Sequence, residues 1–221
     1  MTLRRKALLL ALAAGGLAAC ALAGLLLLYG HNLERRRWNL VFSSPWPSFN
    51  TEPSRFLAEA VQGRKPGTAL DLGMGQGRNA VFLARQGWQV TGVDISDVGV
   101  AQAREQANKA GVSIDAVLQD ADDFDFGKNR WDLVAVIYFP PRPYIARIRE
   151  GLRPGGLVVV EGFYRDAARR RHIGPGVVFD SGELPRLFEG FRVLRYEEVT
   201  DVADWGRQRT RLVRLLAQKP I

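Results

Sequence analysis

Apolar positions fall into two kinds of run. Ala7 to Tyr29 is a block of 23 residues without a charge. As a helix it would rise roughly 34 Å, enough to cross the hydrocarbon core of a bilayer. Beyond it the apolar residues come in short blocks. Ala69–Leu72, Trp88–Val93, Ile114–Leu118, Trp131–Tyr138 and Leu157–Glu161 have strand length, and helical spacing fills the gaps between them. Phe56, Leu57, Ala60 and Val61 form one stripe, and Val100, Ala103, Ala107 and Ala110 another, closed by Gly111. Arg78 to Gln86 is helical in pattern up to Gly87, and Ile145, Ile148 and Leu152 face one way. W-D-L-V-A-V-I-Y at Trp131–Tyr138 is nearly continuous, as in a central parallel strand buried on both faces. The tail differs: Glu183–Phe188 suits a short helix, and Phe191–Val199 and Thr210–Lys219 read as two strands. The second alternates charged and apolar residues, as an antiparallel edge would.

Strands alternating with helices and finished by a hairpin predict an α/β, doubly wound, Rossmann-like sheet. Seven strands are expected, mostly parallel, with a C-terminal antiparallel hairpin and one preceding transmembrane helix. The implied division is an anchor at 1–34, a linker with a lid helix at 35–66, and the α/β domain at 67–221. In the linker Pro45, Pro47 and Pro53, with Ser43, Ser44 and Ser48, make an extended, turn-rich stretch. Thr51 or Ser54 is placed to cap a helix from about Pro53 to Val61. Phe49–Glu52 reads either as a capped loop or as a flap over the site that follows.

That site is the stretch Thr68–Ser96. A strand carrying Asp71 runs into a loop with Gly73, Gly75 and Gly77, then a helix, then a second strand ending at Asp94. Glycines let the backbone turn tightly and approach a ligand closely, and ligands of open parallel sheets bind outside the carboxyl ends of strands. An acid ending the second strand suits two ribose hydroxyls. A dinucleotide fingerprint needs G-x-G-x-x-G; here Arg78 stands where its third glycine would be. Asp71 beside the loop attracts an ammonium and repels a pyrophosphate. The ligand read from this pattern is S-adenosylmethionine (SAM). Asp120, in Gln119-Asp120-Ala121 after the third strand, is placed to accept from an adenine amino group. Tyr138 and Phe139, ending the fourth strand, are placed to line the reaction centre. Tyr164–Pro175 is a basic stretch with Arg165, Arg169, Arg170, Arg171 and His172. It reads as a solvated loop or as a substrate-recognition loop, with His172 a candidate general base.

Composition narrows the rest. One cysteine, Cys20, excludes a disulfide framework and any multi-cysteine metal site, and two histidines argue against a histidine-rich one, so no metal is expected. The net charge is +8; without Arg4, Arg5 and Lys6, 28 basic residues stand against 23 acids. That balance suits a membrane surface or an anionic substrate and gives no ground for expecting nucleic acid. For Ala7–Tyr29 a single-pass anchor is preferred over a cleaved signal peptide and over a lipoprotein signal with Cys20 acylated. Basic residues on both flanks, Arg4–Lys6 and Arg35–Arg37, leave orientation open. A domain using a cofactor made in the cytosol is expected to face the cytoplasm.

Taken together, L-D-L-G-M-G-Q-G-R-N (Leu70–Asn79), V-D-I-S (Val93–Ser96), Gln119–Ala121, W-D-L-V (Trp131–Val134) and L-R-P-G-G (Leu152–Gly156) resemble a class I SAM-dependent methyltransferase. The likeness covers about Phe49 to Lys219, and G-R-N-A resembles the small-molecule branch that includes tellurite-resistance methyltransferases. The resemblance implies that Asp71, Gly73, Gly75 and Gly77 hold the methionine part of SAM and that Asp94 binds the ribose. It further implies that Ile95 packs on the adenine, that Asp120 and Ala121 recognise its edge, and that Tyr138 sits near the sulfonium. The expected partner is a small-molecule methyl acceptor, with the membrane engaged through residues 7–29. Y-F-P-P-R lacks the Asn or Asp of amide- and DNA-methylating members, so that chemistry is not expected. The competing classes are a nicotinamide-dependent oxidoreductase and a non-catalytic, membrane-tethered SAM-binding protein.

Overall fold

The computed structural model describes residues 30, 32–44, 50–166, 173–203 and 209–221. The expected membrane segment Ala7–Tyr29, with Cys20, lies outside them, as do Arg169–His172. Among the described residues no helix is long and apolar enough to cross a membrane.

Strand β1 (Thr68–Leu72) is central. It runs parallel to β2 (Gln89–Asp94) on one side and to β4 (Trp131–Ile137) on the other. β3 (Asp115–Leu118) extends the sheet beyond β2, and β5 (Leu152–Tyr164) extends it beyond β4, both parallel. Two later strands, β7 (Arg192–Val202) and β8 (Arg209–Gln218), complete the order β3-β2-β1-β4-β5-β8-β7, with β8 antiparallel to both neighbours. All seven expected strands are present. An eighth, β6 (Val178–Phe179), pairs with the end of β5 at Phe163 and Tyr164; two residues carry no periodicity by which to foresee it.

Helices α2 (Arg55–Val61), α3 (Arg78–Arg85), α4 (Asp97–Lys109), α5 (Ile145–Gly151) and α6 (Glu183–Leu187) flank the sheet. Side chains of a strand alternate between its faces, and two cores result. Leu70, Val134, Val136, Val158 and Val160 join Trp131, Ile148, Phe179 and Phe188 on one face. Ala69, Leu133, Ala135, Leu157 and Val159 join Phe56, Leu57, Leu83 and Trp88 on the other. β4 is thus covered on both sides, as its unbroken apolar run predicts.

Three details depart from expectation. Arg153–Gly156, just ahead of the expected strand Leu157–Glu161, is a bulge inside β5: Leu152 pairs with Trp131, and pairing resumes at Leu157 opposite Leu133. Gly155, at φ +78°, makes that detour possible. β8 is not the edge; it lies between β5 and β7. Its alternation comes partly from Arg214, which is buried against acids rather than facing water. Finally, residues 32–43 form a helix, α1, in what reads as anchor end and linker. Its apolar stripe is short and interrupted by Arg35–Arg37, so it reads as a charged flank.

Candidate functional site

The chain changes its direction of travel across the sheet between β1 and β4, and the crevice at that switch point is where open α/β sheets bind ligands. Gly73, Gly75 and Gly77 have φ of +70°, +55° and +79°, a left-handed region that side-chain-bearing residues avoid. Their alternation is therefore a backbone requirement. The loop is sewn to the end of β2: the Gly73 and Met74 amides donate to the Val93 carbonyl at 2.9 and 3.1 Å, and the Gly75 amide to Asp94 Oδ2 at 2.8 Å. Asp94 Oδ1 accepts from the Ser96 amide at 2.8 Å. Burial raises the Asp94 pKa, and these backbone donors oppose the rise.

A cavity of about 410 Å³ opens over this loop. Gly73, Met74 and Gly75 form its floor, and Asp94 and Ile95 line the β2 side. Gln119, Asp120 and Ala121 line the β3 side, and Ile137, Tyr138 and Phe139 the β4 side. Seven of the nine expected cofactor residues thus meet in one cavity. Gly77 is not on the wall. It begins α3, and a Cβ there would lie 2.6 Å from that of Ala103 on α4, so its bareness serves helix packing. Asp71 lies beneath the loop, fully buried, with Oδ2 lacking any partner within the described protein. Its pKa is raised to about 7, chiefly by burial; Arg78 lowers it and the Asp94 charge adds to the rise. His172 lies outside the described residues.

Several wall residues have no counterpart in the sequence reading. α1 covers the cavity with Glu34, Arg37, Trp38 and Phe42. The Phe42 ring rests on Gly75 and Gly99, where a Cβ at Gly75 would come within 2.9 Å of it, and it stacks on Trp38 at 5.8 Å. Asn39 anchors the helix, accepting from Ser96 Oγ at 2.6 Å and donating to Asp97 at 3.1 Å. The available signal was Glu34, Trp38, Val41 and Phe42 at helical spacing. Asn50, by contrast, belongs to the segment read as a capped loop or a flap, and it reaches the wall, while the Glu52 carbonyl accepts from Arg78 at 2.8 Å. Asp122 also lines the cavity and accepts from the Tyr144 hydroxyl at 2.8 Å.

The β4 end is held by a buried polar cluster. Tyr138 has φ +56°, strained for a residue with a side chain. Its amide donates to the Glu161 carbonyl at 2.8 Å and its hydroxyl to Glu161 Oε1 at 2.9 Å. Glu161 Oε2 accepts from Ser54 Oγ at 2.6 Å, and Arg214 pairs with Oε1 at 3.2 Å. Glu161 and Arg214 are both buried. Like Asp71, Glu161 is an acid ending a strand's apolar run, and that was its signal.

Residues 69–156 match the family model of a methyltransferase domain. "Hemagglutinin 1" of Eikenella corrodens is 32% identical over 177 residues, covering 74% of this chain and 58% of that protein. The 27-O-demethylrifamycin SV methyltransferase of Amycolatopsis mediterranei is 31% identical over 168 residues, covering 68% of this chain and 61% of that enzyme. The chain therefore spans about six-tenths of the length of these relatives. Among solved structures, one from work on conversion of a disulfide bond into a thioacetal group in echinomycin biosynthesis superimposes with a TM-score of 0.68 at 20% identity, covering 85% of this chain and 93% of that one. TehB from Haemophilus influenzae gives 0.62 at 22%, covering 74% and 61%. These superpositions show the fold. The matched domain spans the glycine loop, Asp94, Asp120 and Tyr138, and the cofactor of such a domain is S-adenosyl-L-methionine. The residues fit it: an acid-rich cavity over bare glycines, with an unpartnered buried carboxyl oxygen on Asp71 beneath, suits a cationic nucleoside better than a pyrophosphate.

Proposed function

We propose that the chain is a SAM-dependent methyltransferase acting on a small-molecule acceptor, anchored in a membrane through residues 7–29 with its α/β domain on the cytoplasmic side. The observation that carries the catalytic reading is the meeting of Asp94 and Asp120 in one cavity over a left-handed glycine loop at the switch point, with Asp71 buried beneath that loop. Three acids there recruit a cationic ligand with a diol and an adenine. A nicotinamide dinucleotide would bring two phosphates to the same wall.

When bound, S-adenosyl-L-methionine supplies an activated methyl group on a positively charged sulfur. The chain's own residues bind and orient. Asp71 and the loop at Gly73 and Gly75 take the methionine part, Asp94 the ribose, Ile95 the adenine face, and Asp120 and Ala121 its edge. Tyr138 and Phe139 face the acceptor side, and α1 shields the cavity from water. The Tyr138 hydroxyl is engaged with Glu161, so its part here is shape rather than proton transfer. Catalysis in this reading comes from proximity and alignment, which suffices for a soft nucleophile.

Two experiments test these statements. Thermal unfolding with SAM or with NAD separates the ligands, since only a bound ligand raises Tm; stabilisation by NAD alone overturns the cofactor assignment. A C-terminal alkaline-phosphatase fusion tests topology, and phosphatase activity in the exported compartment overturns the cytoplasmic placement.

A further inference from the structure

Helix α1 has two faces with different neighbours. One face carries Glu34, Arg37, Trp38 and Phe42 and forms a wall of the cofactor cavity. The opposite flank shows Leu33 and Leu40 to solvent, 47% and 72% exposed, with exposed Arg36 between them. Two leucines seven residues apart lie on one helical stripe. A basic, leucine-bearing stripe of this kind lies well on an anionic bilayer surface.

The length of chain ahead of α1 makes that contact hard to avoid. The apolar run ends at Tyr29, five residues before Glu34. Even fully extended, five residues reach at most about 18 Å, and as a helix about 8 Å. If Ala7–Tyr29 spans a bilayer, the cavity rim at Glu34 stands within that distance of the head groups. A second observation concerns the cavity itself. Its β4 side, on which the acceptor must lie, is built from Ile137, Tyr138, Phe139, Pro140 and Val177. That wall suits an apolar moiety rather than a charged metabolite.

We infer that the acceptor is an amphiphile resident in the bilayer, taken into the apolar side of the cavity while the Leu33–Arg36–Leu40 stripe of α1 lies on the head groups. The inference rests on the anchored-methyltransferase reading above and narrows its substrate class. α1 then serves both as cofactor cover and as the element that sets the cavity at the membrane surface.

The test uses the full chain in nanodiscs containing anionic lipid. In a Cys20→Ala background, a spin label at Leu40→Cys is compared with one at Gln89→Cys, which is exposed at the start of β2. The label at 40 should be relaxed more by oxygen than by an aqueous nickel reagent, unlike the label at 89. Equal behaviour of the two overturns the surface contact. In parallel, membranes from cells expressing the chain are incubated with methyl-tritiated SAM and partitioned into organic and aqueous phases. Label should enter the organic phase and drop at least tenfold in Leu33→Asp/Leu40→Asp, while calorimetry gives that variant wild-type SAM affinity. Label confined to the aqueous phase, with SAM binding intact, overturns the acceptor class. Organic label unaffected by the double variant overturns the role of α1. Absence of SAM binding to the wild type overturns the methyltransferase reading beneath both.

Discussion

Replacing Asp71 by asparagine keeps the side chain's size and removes its charge. The carboxyl is wholly enclosed, and its pKa rises from the ordinary 3.8 to about 7, burial being the largest cause. Arg78 and the Ala80 amide oppose the rise, and Asp94 adds to it. A carboxyl that ionises less readily in the folded chain holds its proton preferentially there. Its stabilising contribution is therefore complete below the unfolded value and is lost as pH climbs through the folded one. A shift of roughly three units at about 1.36 kcal/mol each amounts to on the order of 4 kcal/mol. The part between pH 5 and 7 is roughly 3 kcal/mol. Asp71→Asn has no such proton to lose. Its stability relative to wild type should grow by roughly 3 kcal/mol from pH 5 to pH 8. Urea unfolding of both proteins across that range measures it, and the other titrating groups cancel because both proteins carry them. The bound cofactor reverses the preference, because an ammonium favours the ionised carboxyl. Calorimetric SAM affinity of wild type should strengthen several-fold from about pH 6 to about 7.5, below the range where a ligand amino group begins to titrate, and that of Asp71→Asn should stay flat. Stability curves that run parallel at every pH would refute the burial argument. A pH-dependent gap in stability with no gap in affinity would refute Asp71 as the partner of the ammonium.

Asp94→Ala should weaken SAM binding by at least about tenfold, and because the Gly75 and Ser96 amides lose their acceptor it should also cost about 1–3 kcal/mol of stability; calorimetry and urea unfolding read the two effects separately. Glu161→Ala leaves Arg214 paired with Asp201 but takes the buried acceptor from Ser54 and Tyr138, and should cost about 1–3 kcal/mol, with Glu161→Gln costing less because Ser54 and Tyr138 keep a partner. Equal stability of the two variants would deny the Ser54 and Tyr138 hydrogen bonds their role. Phe42→Ala uncovers Gly75 and should speed SAM dissociation in stopped flow, with little effect on Tm, since the helix keeps its Asn39 contacts.

The glycine-loop side of the cavity was legible because backbone geometry demanded particular residues. Left-handed turns require glycine, and strand ends at Asp94 and Asp120 place acids where alternation of strand and helix says they must fall. What was not legible depended on distant contacts. Arg214 looked like the polar side of an edge strand until Glu161, 53 positions away, proved to be its partner. Trp38 and Phe42 fall in the stretch read as linker, because nothing local announces that a helix folds back over a loop more than thirty residues ahead. Ser54 was legible as a cap and does accept from the Leu57 amide at 3.3 Å, but its bond to Glu161 was not.

The two halves of the cavity are therefore held by different means, and one cluster joins them. The glycine-loop side is fixed chiefly by backbone: the Gly73, Met74 and Gly75 amides are bound to β2. The β4 side is fixed by side chains, through Tyr138, Glu161, Ser54 and Arg214. Ser54 belongs to both, since its amide donates to Asn79 Oδ1 at 2.9 Å in the first turn of α3, directly after the glycine loop. Arg214 carries the connection outward to Asp201 at 3.0 Å, and Asp201 to Arg55 beside Ser54 at 2.7 Å. A buried polar network of this kind rigidifies when fully satisfied and is costly when one member is removed. It also explains how the chain tolerates Tyr138 in a strained conformation: amide and hydroxyl are both bound to Glu161, so relaxing the strain would break two hydrogen bonds. Loss of the Glu161 carboxylate should accordingly loosen both the acceptor wall and, through Ser54 and Asn79, the start of α3. Hydrogen exchange in Glu161→Ala would then rise at Tyr138 and at the Ser54 amide together. A rise at Tyr138 alone would mean that the two halves of the cavity are independently built.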